Sequence, residues 1–189
     1  MAKRRTSLGD QYAEITVIVV TLIALLAGWF YKSSIENASL PFEADGITAE
    51  APKGWLQTSS EDELLRTVDK NSKGFGATYV IHTVAITSEA TTSEVATIVA
   101  LEHAQDLLGF RVLNQREVKV YGRDAYEISY VFVESNPDVT HNDIPSVVRG
   151  VDYVFLSGER AVVVSFQADE ENFDIDFGRF ELFLKSLSF

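Results

Sequence analysis

Residues 118–133 read VKVYGRDAYEISYVFV, and residues 151–168 read VDYVFLSGERAVVVSFQA. Each is a pair of runs rich in Val, Ile, Tyr and Phe, broken once by a short polar stretch with a glycine. The breaks are Tyr121-Gly-Arg-Asp124 and Ser157-Gly-Glu-Arg160. β-Branched and aromatic side chains suit a pleated, half-buried surface, and a short glycine-bearing break closes a hairpin. The reading is four successive strands, over 110–120, 125–135, 147–156 and 161–167. Links this short join antiparallel neighbours, because a parallel crossover needs a dozen residues or more. The one longer link, 136–146 (NPDVTHNDIPS), is polar and rich in turn formers.

Upstream, Thr78–Thr87 (TYVIHTVAIT) reads as another strand. Ile47–Ala51 is a short first strand, Pro52-Lys53-Gly54 a turn, and Trp55–Thr58 a further strand. Ser59 or Ser60 is placed to cap a brief helical turn through Glu61–Leu65, where acids favour a helix start. Thr91-x-x-Glu94 matches a capping box and opens a helix to about Leu108, with Gly109 to end it. Its apolar flank is Val95, Ile98, Val99, Leu101, Leu107 and Leu108. Asp169, Glu170 and Glu171 start a closing helix, whose Phe173, Phe177, Phe180, Leu184 and Leu187 recur at helical spacing. The fold expected is α+β, an antiparallel β-sheet sandwiched by helices.

These elements carry a family resemblance. The Pro52-x-Gly54-Trp55 turn, the two hairpin stretches and the phenylalanine-rich helix ending Leu184-Lys-Ser-Leu-Ser-Phe189 together resemble the superfamily of the photosystem II extrinsic P subunit (PsbP-like). That superfamily includes bacterial lipoproteins and a nuclear transport factor that binds the Ran GTPase. The resemblance covers about residues 44–189, as topology and turn placement rather than an invariant motif. It implies a compact α-β-α sandwich, usually without catalysis, serving as an accessory, assembly or binding module on a larger complex. Photosynthetic members sit on the lumenal side and influence manganese and calcium retention. None of their ligands matches this sequence residue by residue. A membrane tether in place of a cleaved peptide departs from many members.

Ahead of the domain, Ile15 to Tyr31 reads ITVIVVTLIALLAGWFY, seventeen residues without a charge. At about 1.5 Å per residue this helix spans roughly 25 Å, close to a bilayer core of about 30 Å once Ala13 and a snorkelling Lys32 extend it. Trp29, Phe30 and Tyr31 form an aromatic belt at one end, and Lys3-Arg4-Arg5 lies beyond the other. The positive-inside rule puts the N-terminus in the cytoplasm. A cleaved signal peptide is the competing reading, but no A-x-A site follows the bulky Trp-Phe-Tyr-Lys block. The expected organisation is a cytoplasmic segment 1–12, a transmembrane helix 13–32, a connector 33–45 and an extracytoplasmic domain 46–189. The protein is thus expected in the cell membrane as a single-pass protein.

Within that helix Glu14, Thr21 and Gly28 recur every seven residues, and Ala24-x-x-x-Gly28 is a small-xxx-small pair. Such a face lets helix backbones approach closely in lipid, by self-association or by docking into a larger membrane complex.

The 189 residues carry a net charge of −12, unevenly spread. Residues 1–32 hold four basic and two acidic side chains, and the remainder 12 basic and 26 acidic, a net −14. A surface at that charge repels phosphate backbones, which excludes nucleic acid as a partner. There is no cysteine, so disulfides, thiolate metal sites and a cysteine nucleophile are excluded together.

No catalytic residue is assigned: none of the hydrolase, zincin, P-loop or dinucleotide signatures occurs with its required context. No cofactor is assigned either. The weak metal candidates are Asp169, Glu170 and Asp174 in the acidic run, and His141 with Asp143 in the 136–146 loop. The run fails the calcium-loop pattern, with no glycine at its sixth position. A hydrolase assembled from dispersed residues needs a pocket that joins a nucleophile to His141 or His82. The function expected is a non-catalytic accessory or assembly subunit of a membrane complex. The alternative is an extracytoplasmic ligand- or cation-binding module.

Overall fold

The computed structural model describes residues 8–36, 38–60, 62–72, 74–134 and 145–189. The chain divides after Ala38 into two units.

The first unit is one helix, α1 (Leu8–Glu36). It outruns the expected 13–32 at both ends: past Lys32 no glycine or proline occurs before Pro41, and ahead of Ala13 the helix runs on through Gly9 and its polar neighbours. Its segment Ile15–Lys32 has a mean hydropathy of 2.0 with no part buried. It is the one helix among the described residues that is long and apolar enough to cross a membrane. Its threonines are satisfied internally: the Thr16 and Thr21 hydroxyls donate to the Tyr12 and Val17 carbonyls, both at 2.8 Å.

The second unit opens with β1 (Ser39–Ala44) paired antiparallel to β2 (Ile47–Pro52). The stretch expected as a connector over 33–45 is therefore helix to Glu36 and strand from Ser39. The turn explains it. Asp45 and Gly46 take φ of 51° and 72°, the mirror-image turn that suits the twist of a hairpin, and Ala44 pairs with Ile47 across it.

The main sheet has seven strands: β3 (Leu56–Thr58), β4 (Leu65–Val68), β5 (Thr78–Ala85), β6 (Arg111–Val120), β7 (Arg123–Glu134), β8 (Ser146–Ser157) and β9 (Arg160–Asp169). Their order is β3-β4-β5-β9-β8-β7-β6, with every pair antiparallel. The chain enters at one edge, crosses to the other through α2 (Thr92–Asp106), and returns strand by strand until β9 closes against β5. Of the helical turn expected over 61–65, the described residues 62–65 are not helical. Ser60 Oγ does accept the Glu63 N–H at 3.2 Å, but the Ser60 N–H donates to the Glu63 carbonyl, which closes a single turn. Leu65 and Thr67 then alternate inward as strand, 2% and 0% exposed.

Each face of the sheet carries a helix. On one side the β1–β2 hairpin and α3 (Phe173–Ser186) enclose an aromatic core. Tyr79 at its centre has ring neighbours Trp55, Phe180 and Phe183 within 5.2 Å. Asp169 to Glu171 lie ahead of α3 rather than in it: the helix begins at Phe173, with Asp174 and Asp176 in its first turn.

On the other side α2 seats Val95, Ala96 and Val99 against Ile128, Val154 and Val163. The capping box at Thr91 and Glu94 is formed in both directions. The inward stripe is narrower than the expected flank, because a helix resting on a sheet buries one face: Ile98, Leu101 and Leu108 are exposed.

Candidate functional site

The α2 side of the sheet is only part covered. From β5 to β7, the side chains in phase with its core are polar in two adjacent rows. One row runs Val80–Ser165–Asp152–Ile128, and the other Thr78–Gln167–Gly150–Tyr130. Ser165, Gln167 and Asp152 are 3%, 8% and 0% exposed. A carboxylate with no exposed surface needs partners, since an unpaired buried charge costs several kcal/mol.

Asp152 has two on the described residues. His103 on α2 brings Nε2 to 2.8 Å from Oδ2, and the Tyr130 hydroxyl donates to Oδ1 at 3.0 Å. The Gln167 amide in turn donates to the Tyr130 oxygen at 3.1 Å. The network thus spans α2, β7, β8 and β9. Burial disfavours a charged His103 ring, but the hydrogen bond and charge of Asp152 outweigh it and raise its pKa. Burial raises Tyr130 well above its ordinary value, so the phenol stays a neutral donor.

Above Ser165 and Gln167 lies a cavity of about 430 Å³. His82 of β5 and His103 of α2 reach it, and Phe75 and Phe132 meet edge to face in its lining, centroids 5.9 Å apart. Burial lowers the His82 pKa, partly offset by Asp152, so this ring is neutral at pH 7 and keeps an acceptor nitrogen. Arg66 of β4 is held by Glu63 through two bonds of 2.8 and 2.6 Å. Asp62, Glu102, Asp106 and Glu134 bring further carboxylates to the lining.

Ser165 and His82 therefore share the one cavity that a dispersed hydrolase would need. No hydrogen bond joins the Ser165 hydroxyl to a histidine among the described residues, and His103 Nε2 is committed to Asp152. What the arrangement can do is accept hydrogen bonds and hold positive charge.

The weak metal candidates fall elsewhere. Asp169 closes the turn after β9, accepting the Glu171 N–H at 3.1 Å, while Glu170 is exposed. Asp174 lies 3.4 Å from Arg149, which covers the Phe173 ring. His141 and Asp143 lie outside the described residues. Among the described residues no three His, Asp or Glu side chains are placed to hold a metal ion. In α1, Thr21, Ala24 and Gly28 are exposed, and a Cβ at Gly28 would meet nothing within 4 Å.

The polar floor had a sequence signal. On β8, Asp152 falls in phase with Val148 and Val154; on β9, Ser165 and Gln167 fall in phase with Ala161 and Val163. A polar residue at a buried phase of an apolar strand demands a partner.

No protein-family model matches the sequence, and no curated protein does. Solved structures do. Cyanobacterial PsbP (CyanoP) from Synechocystis sp. PCC 6803 is 15% identical with a TM-score of 0.58, covering 80% of this chain and 92% of that one. LpqN of Mycobacterium tuberculosis, described as involved in cell envelope biogenesis, is 14% identical at 0.52, covering 80% and 90%. The Ran-binding protein Mog1p of Saccharomyces cerevisiae is 11% identical at 0.51, covering 80% and 95%. At these identities the likeness is one of fold. The second unit has the PsbP-like α-β-α sandwich that the sequence resemblance implies.

Proposed function

We propose that this chain is a non-catalytic accessory or assembly subunit of a membrane protein complex. Helix α1 anchors it once in the bilayer, with the N-terminus in the cytoplasm and the acidic domain outside. The observation that carries the reading is Ile15–Lys32: an unbroken apolar helix with no buried part, followed within seven residues by a folded sandwich. Its whole surface is offered to lipid or to another helix, and its open Thr21, Ala24 and Gly28 suit close helix contact. The similar fold of a Ran-binding protein supports a role in binding other proteins. The domain's excess of acidic side chains directs it toward basic or neutral partner surfaces.

Two measurements test this. Protease added to intact cells is expected to remove the C-terminal domain and leave α1 with the membrane. Mild detergent extraction followed by native-gel separation is expected to place the chain in a species larger than its own monomer. A protected C-terminal domain, or migration as an isolated monomer at native abundance, overturns the proposal.

A further inference from the structure

The cavity beside α2 has an electrostatic balance that its own side chains leave open. Its Arg66 is matched by Glu63, and the charge on His103 by Asp152. The carboxylates of Asp62, Glu102, Asp106 and Glu134 also line it, and no salt bridge to any of them is found among the described residues, although Glu102 and Asp106 act on the His103 ring from a distance. Deeper in, Ser165 is 3% exposed, and its hydroxyl faces the cavity without a hydrogen bond among the described residues. His82, neutral at pH 7, likewise has no hydrogen-bond partner there. Both groups are left open to cavity water, which a ligand with donors of its own would displace.

We propose that this cavity binds a small organic ammonium ion carrying an apolar or aromatic body. The ammonium has three donors and no acceptor. Ser165 and His82 supply acceptors, and the carboxylates at the mouth supply charge without a counter-ion. Phe75, Phe132, Leu107 and Val80 give the body of the ligand apolar and aromatic contact, and a ring adds a cation–π term where the charge passes over it. The volume of about 430 Å³ lies in the range of small-ligand sites. A metal ion does not fit the same residues, because no three ligating side chains converge. An anion would meet four uncompensated carboxylates and is repelled. The site is independent of α1 and of the membrane reading.

Calorimetry on the full chain in a non-ionic detergent tests it with four probes of related shape. These are 2-phenylethylamine, the neutral 2-phenylethanol, the anionic phenylacetate, and Nα-acetyl-lysine amide. The first is expected to bind saturably and to weaken with added salt, and the neutral and anionic probes to bind at least tenfold more weakly. The lysine derivative stands in for a lysine side chain of a protein partner and is expected to bind at least tenfold more weakly as well. If it binds as well as the amine, the occupant is a partner's lysine and the free-amine assignment fails.

Glu102 and Asp106 are exposed on α2, so the double variant E102Q/D106N is expected to remain folded, losing only their support of the charged His103 ring, and to lose at least tenfold in amine affinity. The variant E170Q/E171Q removes the same charge away from the cavity and is expected to bind as the wild type. Equal binding of amine and alcohol, equal losses in the two double variants, or no amine binding would each overturn the assignment. None of these results bears on protease shaving or native-gel migration.

Discussion

His103 Nε2 lies 2.8 Å from Asp152 Oδ2, so one contact ties α2 to a carboxylate that has no exposed surface. Burial works against the charged ring, while Asp152, with Glu102 and Asp106 adding the same sign, raises the pKa above its ordinary 6.5. The native state then holds this proton more tightly than the unfolded chain. The stabilisation is complete below about pH 6.5 and is lost as pH rises through the raised value. His82 acts in the opposite sense, because burial lowers its pKa and stability is withdrawn as pH falls below 6.5. The substitution H103Q removes the first effect and leaves the second. The variant is expected to be less stable than wild type by about 2 kcal/mol near pH 6, with the gap narrowing as pH rises through the raised His103 value. Urea unfolding of both chains across that range checks it, and a gap that does not narrow excludes a proton-linked pair.

Gly150 fixes where that network can sit. A Cβ there would stand 2.3 Å from the Tyr130 ring, directly across the β7–β8 ladder, whereas real contacts do not fall below about 3 Å. The substitution G150A is expected to cost about 1–3 kcal/mol by forcing the ring, and with it the Asp152 hydrogen bond, out of place. In Tyr130→Leu the ring is absent and the added methyl has room. Denaturant melts of the two single variants and the double variant are expected to show coupling between the sites of at least about 0.5 kcal/mol. Simple additivity would mean that the ring is not what forbids a side chain at Gly150.

The hairpins and the closing helix were legible because local pattern and tertiary burial agree there. Strand periodicity in 118–133 and 151–168, and the helical spacing from Phe173 to Leu187, both survive into the fold. The early part of the domain was less legible because its strands are short. β4 has four residues, and its inward Leu65 and Thr67 follow acids that also suit a helix start. β1 was hidden in a stretch that reads as polar, although Asp45-Gly46 is a hairpin signal in its own right. The cavity was out of reach. His103 and Asp152 are 49 residues apart and meet only because the β5-to-β6 crossover lays α2 over β8. What was visible is that Asp152, Ser165 and Gln167 stand at buried phases.

The start of α2 offers a local test. The Thr91 hydroxyl accepts the Glu94 N–H at 3.2 Å, and the Glu94 carboxylate accepts the Thr91 N–H at 2.8 Å. Two N–H groups that the first turn leaves open are thereby satisfied. Thr91→Ala is expected to lower stability by about 1 kcal/mol, with Thr91→Ser close to wild type. Thermal melts check it. A loss in the serine variant equal to that in the alanine variant would put the cost on the lost methyl rather than on the hydroxyl.

Gly28 tests the helix contact that the proposed function requires. It is exposed on α1, in line with Thr21 and Ala24, and nothing stands within 4 Å of the position its Cβ would take. A larger residue therefore costs the single helix little, and any effect reports on a neighbouring helix. Gly28→Leu holds a second backbone away by the width of the side chain, and packing in lipid depends on close approach because no hydrophobic drive separates helix from lipid. Association is expected to weaken by on the order of 1 kcal/mol, or about fivefold. Leu26→Ala, on the opposite side of the helix from Thr21, Ala24 and Gly28, is expected to change little. Cross-linking yield in native membranes, compared between the two variants at matched expression, measures this. Equal yields from Gly28→Leu and wild type would show that the small face is not the contact and leave α1 as a tether alone.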